Sequence, residues 1–189
     1  MKQSIGAKTI VFPTPVFIVG SYDEAGRPNI MNVAWGGICC SKPPCVAIAL
    51  REATYTFSNI ARKGAFTVNI PSVHQVKEAD YAGLCSGRDR DKFAELGLTP
   101  TSSELVDAPY IEEFPLVLEC KVTHMLKLGL HTQFIGEIMD VKADPGVLDA
   151  NGFPDITKVE PFCFSPSNQG YYRIGEFIGQ AFLIGGREK

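Results

Sequence analysis

The chain has 189 residues, 45% of them hydrophobic and 21% charged, which is enough apolar content for one packed domain and too much for wholesale disorder. Its formal net charge of −3 argues against a nucleic-acid partner, because binding phosphates over a large face needs clustered Lys and Arg. The six cysteines form no C-x-x-C and only three histidines are present, so the spacing provides no zinc or iron–sulfur framework.

The N-terminus carries Lys2 and Lys8 and then an apolar stretch interrupted by Pro13 and Pro15. No small-residue cleavage site follows, and no uninterrupted apolar run is long enough to span a bilayer, so a cytoplasmic protein without a membrane partner is expected. Val16–Gly20 is a short β-rich run. A turn at Asp23, Gly26 and Pro28 and a return along Asn29–Trp35 make a hairpin-like unit. Pro43 and Pro44 precede CVAIAL, a compact buried strand. Thr54–Lys63 reads as a short helix capped by Thr54 and stopped by Gly64, and AFTVNI follows as a strand ended by Pro71.

Ser72 and Gln75 fit a capping box, predicting a helix from about Val73 towards Tyr81. A further short helix is expected over Asp89–Leu96, with Gly97 just past its end. From Pro115 two long strands, LVLECKVTHML and HTQFIGEIMDV, flank Gly129 as a hairpin requires. The tail from Glu160 is rich in aromatics and glycine without a clear period. Many strands with a few short helices clustered mid-chain predict a mainly β fold, a barrel with helical insertions, over residues 1–189 as a single domain.

Familiar catalytic signatures are missing. There is no G-x-G-x-x-G after a strand, no phosphate-binding G-x-x-x-x-G-K-[ST], no G-x-S-x-G elbow and no H-E-x-x-H. Gly175 and Gly179 form a spaced pair in a Phe- and Ile-rich tail, read as packing rather than phosphate binding. Cys45 and Cys120 lie in apolar runs and read as small buried hydrophobes. The vicinal Cys39–Cys40 pair is a weak redox candidate, because a disulfide between neighbours strains the backbone.

Three stretches carry candidate chemistry. Asn29-Ile30-Met31-Asn32-Val33-Ala34-Trp35-Gly36-Gly37 holds the only Trp. Its glycines permit close approach of a flat ligand and its indole can lie against a ring, but a core role for Trp35 fits equally. In Arg51-Glu52-Ala53-Thr54-Tyr55-Thr56 a strand end with an Arg leads through hydroxyls into a helix N-terminus. That is a sensible phosphate site, and equally ordinary capping with a solvent-facing Arg. In Ser86-Gly87-Arg88-Asp89-Arg90-Asp91-Lys92-Phe93 the charges alternate, and Lys92 is the cation best placed to face inward, beside an anchored Phe93.

In order, PxPVFIVGSYDEAGRPNIMNVAW, CSKPPCVAIAL, REATYTFSNI, FTVNIP, SGRDRDKF, EFPLVLECKV and HTQFIGEI resemble the flavin reductase-like, FMN-binding split-barrel family. The likeness is collinear from about Pro13 to Val141. It implies a split β-barrel with short helical insertions, bound FMN and a homodimer. By the same resemblance, Asn29, Trp35, Thr56, Lys92, His131 and Phe164 surround the FMN in the electron-carrying members. Motif position and chemistry add Asn32, Cys40, Ser41, Arg51 and Thr54 as further cofactor-binding candidates. His131 is the residue whose charge can respond near neutral pH, or else a strand histidine hydrogen-bonded in the barrel. His74 and His124 are given no role. The resemblance implies an electron carrier between redox proteins, with an NAD(P)H-dependent flavin reductase and a non-redox flavin-binding module as the alternatives.

Overall fold

In the computed structural model, residues 1–186 are described; residues 187–189, the end of the expected single domain, lie outside them. The strands are β1 (Thr14–Pro15), β2 (Phe17–Tyr22), β3 (Pro28–Val33), β4 (Gly36–Ser41) and β5 (Pro44–Arg51). Then come α1 (Tyr55–Lys63), β6 (Ala65–Ile70), α2 (Val76–Leu84), α3 (Lys92–Leu96), β7 (Pro100–Ser102) and β8 (Pro109–Ile111). The long hairpin β9 (Leu116–Leu128) and β10 (His131–Ala143) is followed by α4 (Ile156–Val159), β11 (Phe162–Ser165) and β12 (Gly170–Arg173).

The mainly β expectation holds, and the topology explains why the main sheet closes. Its seven strands run β3-β2-β6-β9-β10-β5-β4, and every pairing is antiparallel. A flat sheet would hold its two edges about 29 Å apart at the usual strand spacing. Yet the edge strands β3 and β4 are consecutive in the chain, with only Ala34 and Trp35 between them. Three residue steps span at most about 11 Å, so the sheet must curl until its edges approach each other at Ala34–Trp35. The backbone carbonyl of Trp35 is then held by the amide of Ala49 on β5, at 2.8 Å.

Strand periodicity divides the apolar residues between two cores. On β2, Val19 points into the barrel with Val46, Ile48, Phe66, Val68 and Phe134, whereas its neighbour Ile18 packs outside with Ile30, Ala79, Ala82, Phe93 and Phe162. Phe66 fills the barrel centre because β10 carries Gly136 opposite it; a Cβ there would meet Phe66 Cζ at 2.5 Å. The outer core fastens α2 and α3 onto β3.

Local signals read from sequence recur in the structure. Thr54 caps α1, Gly64 ends it in the left-handed conformation, and the Ser72–Gln75 capping box is complete. Two expectations of local structure need correction, and further elements had no local signal. The third helix begins at Lys92 rather than Asp89, because the amides of Asp89 and Arg90 turn back to the Ser86 carbonyl and Asp91 serves as the cap. GGICCS forms the edge strand β4, and the aperiodic tail forms β11 and β12, with β11 pairing the N-terminal β1. Of the tail glycines, Gly175 faces open space, with nothing within 4 Å of a Cβ built there, whereas a Cβ at Gly179 would meet Ile184 Cδ1 at 2.2 Å, so only Gly179 is closely packed. Cys39 and Cys40 are exposed, although Cys45 and Cys120 are buried as expected.

Candidate functional site

The N-terminus of α1, strand β3 and the segment leading into α3 enclose a cavity of about 280 Å³ lined by Asn32, Thr54, Thr56, Gly87, Arg88 and Lys92 among others. Asn29 does not line it but is bonded to Thr56, which does. The Asn29 side-chain amide donates to Thr56 Oγ1 at 2.9 Å, and both residues are buried. Thr56 donates its own hydroxyl proton to no acceptor among the described residues, whereas Thr54 is committed: its hydroxyl donates to the Arg51 carbonyl and accepts from the Phe57 amide.

Two cations face this space. Arg88 lies over the Tyr55 ring, 5.4 Å from its centroid, and donates to the Ala53 carbonyl at 3.1 Å. Lys92 is only 4% exposed. Its ammonium donates to the carbonyls of Ile30, at 2.9 Å, and Ala82, at 2.6 Å, and no carboxylate pairs with it among the described residues. Burial pushes its pKa down, with the nearby Cys85 acting in the opposite direction. A buried cation held only by carbonyl dipoles gains from an anion placed beside it.

Gly87 permits the approach of this segment to β3, since a Cβ there would sit 1.9 Å from Asn29 Oδ1. Two cations, a free hydroxyl donor, a helix N-terminus and backbone without a side chain together make a donor-rich set that fits a phosphate group.

The cavity does not stand alone. Asn32 also lines a second one, about 250 Å³, with Ala34, Asp80, Phe164 and Tyr171. Ala34 in turn lines a third, about 470 Å³ and mostly apolar, with Trp35, Gly36, Ala49, Leu128 and His131. Residues 31–36 thus form one floor running from a polar, cationic end to an aromatic end. Midway, the Tyr171 hydroxyl donates to Asp80 at 2.8 Å; burial first, then the Asp80 carboxylate, pushes its pKa up to about 12, so it remains a neutral phenol. Beside the polar end, Asp23 accepts from Tyr55, Arg27 and two backbone amides. These bonds overcome the opposing effect of burial and hold its carboxyl at about 2.

Of the residues expected from sequence, Asn29, Asn32, Thr54, Thr56 and Lys92 meet at the polar end, Phe164 lies midway, and Trp35 and His131 share the aromatic end. Arg51 stands exposed at the end of β5, opposite His131 in register, and lines none of the three cavities. Cys40 and Ser41 are exposed beside the β4–β5 turn and also line none of them. Gly87, Arg88, Asp80 and Tyr171 were not singled out. Arg88 was hidden in an alternating charge run, and Tyr171 in a tail without periodicity.

A curled antiparallel sheet with helices packed outside and a composite groove along its seam is the architecture of flavin-binding split barrels. Residues 9–164 match the flavin reductase like domain, and the chain belongs to that family. It is similar to the flavoredoxin of Desulfovibrio vulgaris (Miyazaki F), with 55% identity, a TM-score of 0.95, and 98% of this chain and 100% of the other covered. Flavoredoxin from Methanosarcina acetivorans is 31% identical with a TM-score of 0.91, over 98% and 97% of the two chains. A split-barrel structure from Shewanella frigidimarina, 24% identical, shares the fold with a TM-score of 0.80 over 89% and 86%.

Proposed function

We propose that this chain is an FMN-binding electron-transfer protein, acting in the cytoplasm as a homodimer that passes electrons between redox proteins. One observation carries the reading: three cavities linked through Asn32 and Ala34 run from a donor-rich, cationic end to an aromatic one, matching a ligand with a phosphate at one end and a flat ring at the other. The likeness to two flavoredoxins supports the carrier role.

Bound there, FMN supplies electron transfer at its ring, chemistry that belongs to the cofactor. The chain's residues do the rest. Arg88, Lys92, the Thr56 hydroxyl and the first turn of α1 neutralise and orient the phosphate. Asn32 and the Tyr171–Asp80 pair flank the middle of the ligand. Trp35 and Phe164 shield the ring from water, and His131 offers a ring nitrogen beside it. A second copy of the chain covers the open aromatic end, where Leu128 and Leu130 at the tip of the β9–β10 hairpin are exposed.

The test is anaerobic. Cofactor released by acid from the purified protein should chromatograph as FMN, and light scattering should give a dimer. In stopped-flow mixing, the flavin should bleach fast with a low-potential protein donor and slowly with NADH or NADPH. Recovery of FAD, or of no flavin, overturns the cofactor assignment. Rapid, saturable bleaching by NAD(P)H makes the protein a flavin reductase instead, the activity after which its domain family is called.

A further inference from the structure

The cysteines left outside the flavin groove form an ordered pair. In the β4–β5 hairpin, Cys40 and Cys45 are direct partners across the antiparallel ladder. Such partners have Cα atoms about 4.5–5.5 Å apart, inside the roughly 4.4–6.8 Å range that a disulfide spans. Cys39 is a different case: the ladder slips between Ile38 and Cys40, leaving Cys39 outside the register. The vicinal pair conspicuous in the sequence is therefore not the pair that the fold aligns. Cys40 is exposed and Cys45 is buried.

We propose that Cys40 and Cys45 are a reversible thiol–disulfide switch, oxidised by small-molecule disulfides such as oxidised glutathione. The Cys40 thiolate attacks one sulfur of the oxidant, forming a mixed disulfide and releasing one thiolate. Cys45 then loses its proton to solvent and attacks the Cys40 sulfur, closing the internal disulfide and releasing the second thiolate. Two protein thiols lose two electrons and two protons, and one external disulfide is reduced to two thiols. The accessible residue attacks first and the buried one resolves.

The surroundings of Cys45 set the pace of the second step. Burial raises its pKa most, and the neighbouring thiols Cys40 and Cys39 on β4 and the Glu137 carboxylate on β10 push the same way; Cys120 on β9 is also close. Little Cys45 thiolate exists at neutral pH, so closure speeds up as pH rises. The other end of this hairpin carries Trp35 and Gly36 at the aromatic end of the groove, so the pair and the proposed flavin site sit on one hairpin.

The experiment incubates the full-length, flavin-loaded protein with oxidised glutathione at several pH values, then traps free thiols and digests with trypsin. The tryptic peptide 9–51, left whole because Pro28 follows Arg27 and Pro43 follows Lys42, holds all three hairpin cysteines. In the wild type and in Cys39→Ser, this peptide should become lighter by two hydrogens, with fragmentation placing the link between Cys40 and Cys45, faster at higher pH and reversed by dithiothreitol. Cys45→Ser should stop at a glutathione adduct on Cys40. Cys40→Ser, a change at an exposed position that leaves the core alone, should abolish closure even if the Cys45 variant does not fold. A link between Cys39 and Cys40, closure that survives Cys40→Ser, links only between chains, or no loss of thiols would each overturn the proposal.

Discussion

The side-chain amide of Asn29 on β3 donates to the hydroxyl of Thr56 in the first turn of α1, at 2.9 Å, with both residues shielded from solvent. This bond ties the barrel edge to the helix N-terminus and leaves the Thr56 hydroxyl proton without an acceptor among the described residues. Thr56→Val keeps the shape and removes that donor. A hydrogen bond to a charged phosphate is worth about 1.5–3 kcal/mol, so flavin affinity should fall about ten- to a hundred-fold with the fold intact. Flavin occupancy after gel filtration, with circular dichroism as the control, measures this.

Trp35→Ala should also lower flavin retention, from the opposite end of the groove. The residue is 37% exposed and lines the apolar cavity rather than the barrel core, so truncation costs contact with the ring and little stability. Unchanged occupancy together with a lowered melting temperature would return Trp35 to a purely structural role.

Gly87 and Gly37 make a matched pair of probes. Gly87→Ala puts a methyl group 1.9 Å from Asn29 Oδ1, so the phosphate end must open and flavin binding should weaken at least ten-fold. Gly37→Ala meets nothing within 4 Å and should bind flavin as the wild type does. Titration of flavin into the two apoproteins separates the cases.

Asp23 confers a pH dependence on stability. Its folded carboxyl titrates at about 2, below the ordinary value of 3.8, so its stabilisation is complete above about pH 4 and is lost as pH falls through 2. Asp23→Asn should cost about 1–2 kcal/mol at neutral pH after allowance for solvent screening. The difference from wild type should vanish towards pH 2. Urea melts of both proteins between pH 7 and pH 2.5 test it; a gap that persists in acid would mean that packing, not charge, is responsible.

Electron transfer should need no thiol. Replacing Cys39 and Cys40 together by Ala should leave the flavin bound and reducible, because both side chains are exposed and line none of the three groove cavities. Anaerobic photoreduction and reoxidation of the double variant provide the check; a flavin that binds but cannot cycle would restore a thiol role.

Local chemistry made much of this molecule legible in its sequence. Thr54 and Gly64 bound a helix because a hydroxyl caps amides and only an unsubstituted Cα adopts the left-handed end without strain. Period-two strands and the Gly129 turn specified the long hairpin. Lys92 could be read as facing inward because Phe93 beside it had to be anchored. The family resemblance then brought Asn29, Thr56, Trp35, His131 and Phe164 forward as a set.

What only the tertiary structure decided depends on partners distant in the chain. Closure of the barrel at Ala34–Trp35 follows from strand order, which no local pattern encodes. Tyr171 reaches Asp80 across 91 positions, and Gly87 matters only because Asn29 lies against it. The cysteines show the same division. Adjacency in sequence drew attention to Cys39 and Cys40, whereas the antiparallel register pairs Cys40 with Cys45, because in a sheet it is the neighbouring strand, not the neighbouring residue, that stands opposite a side chain.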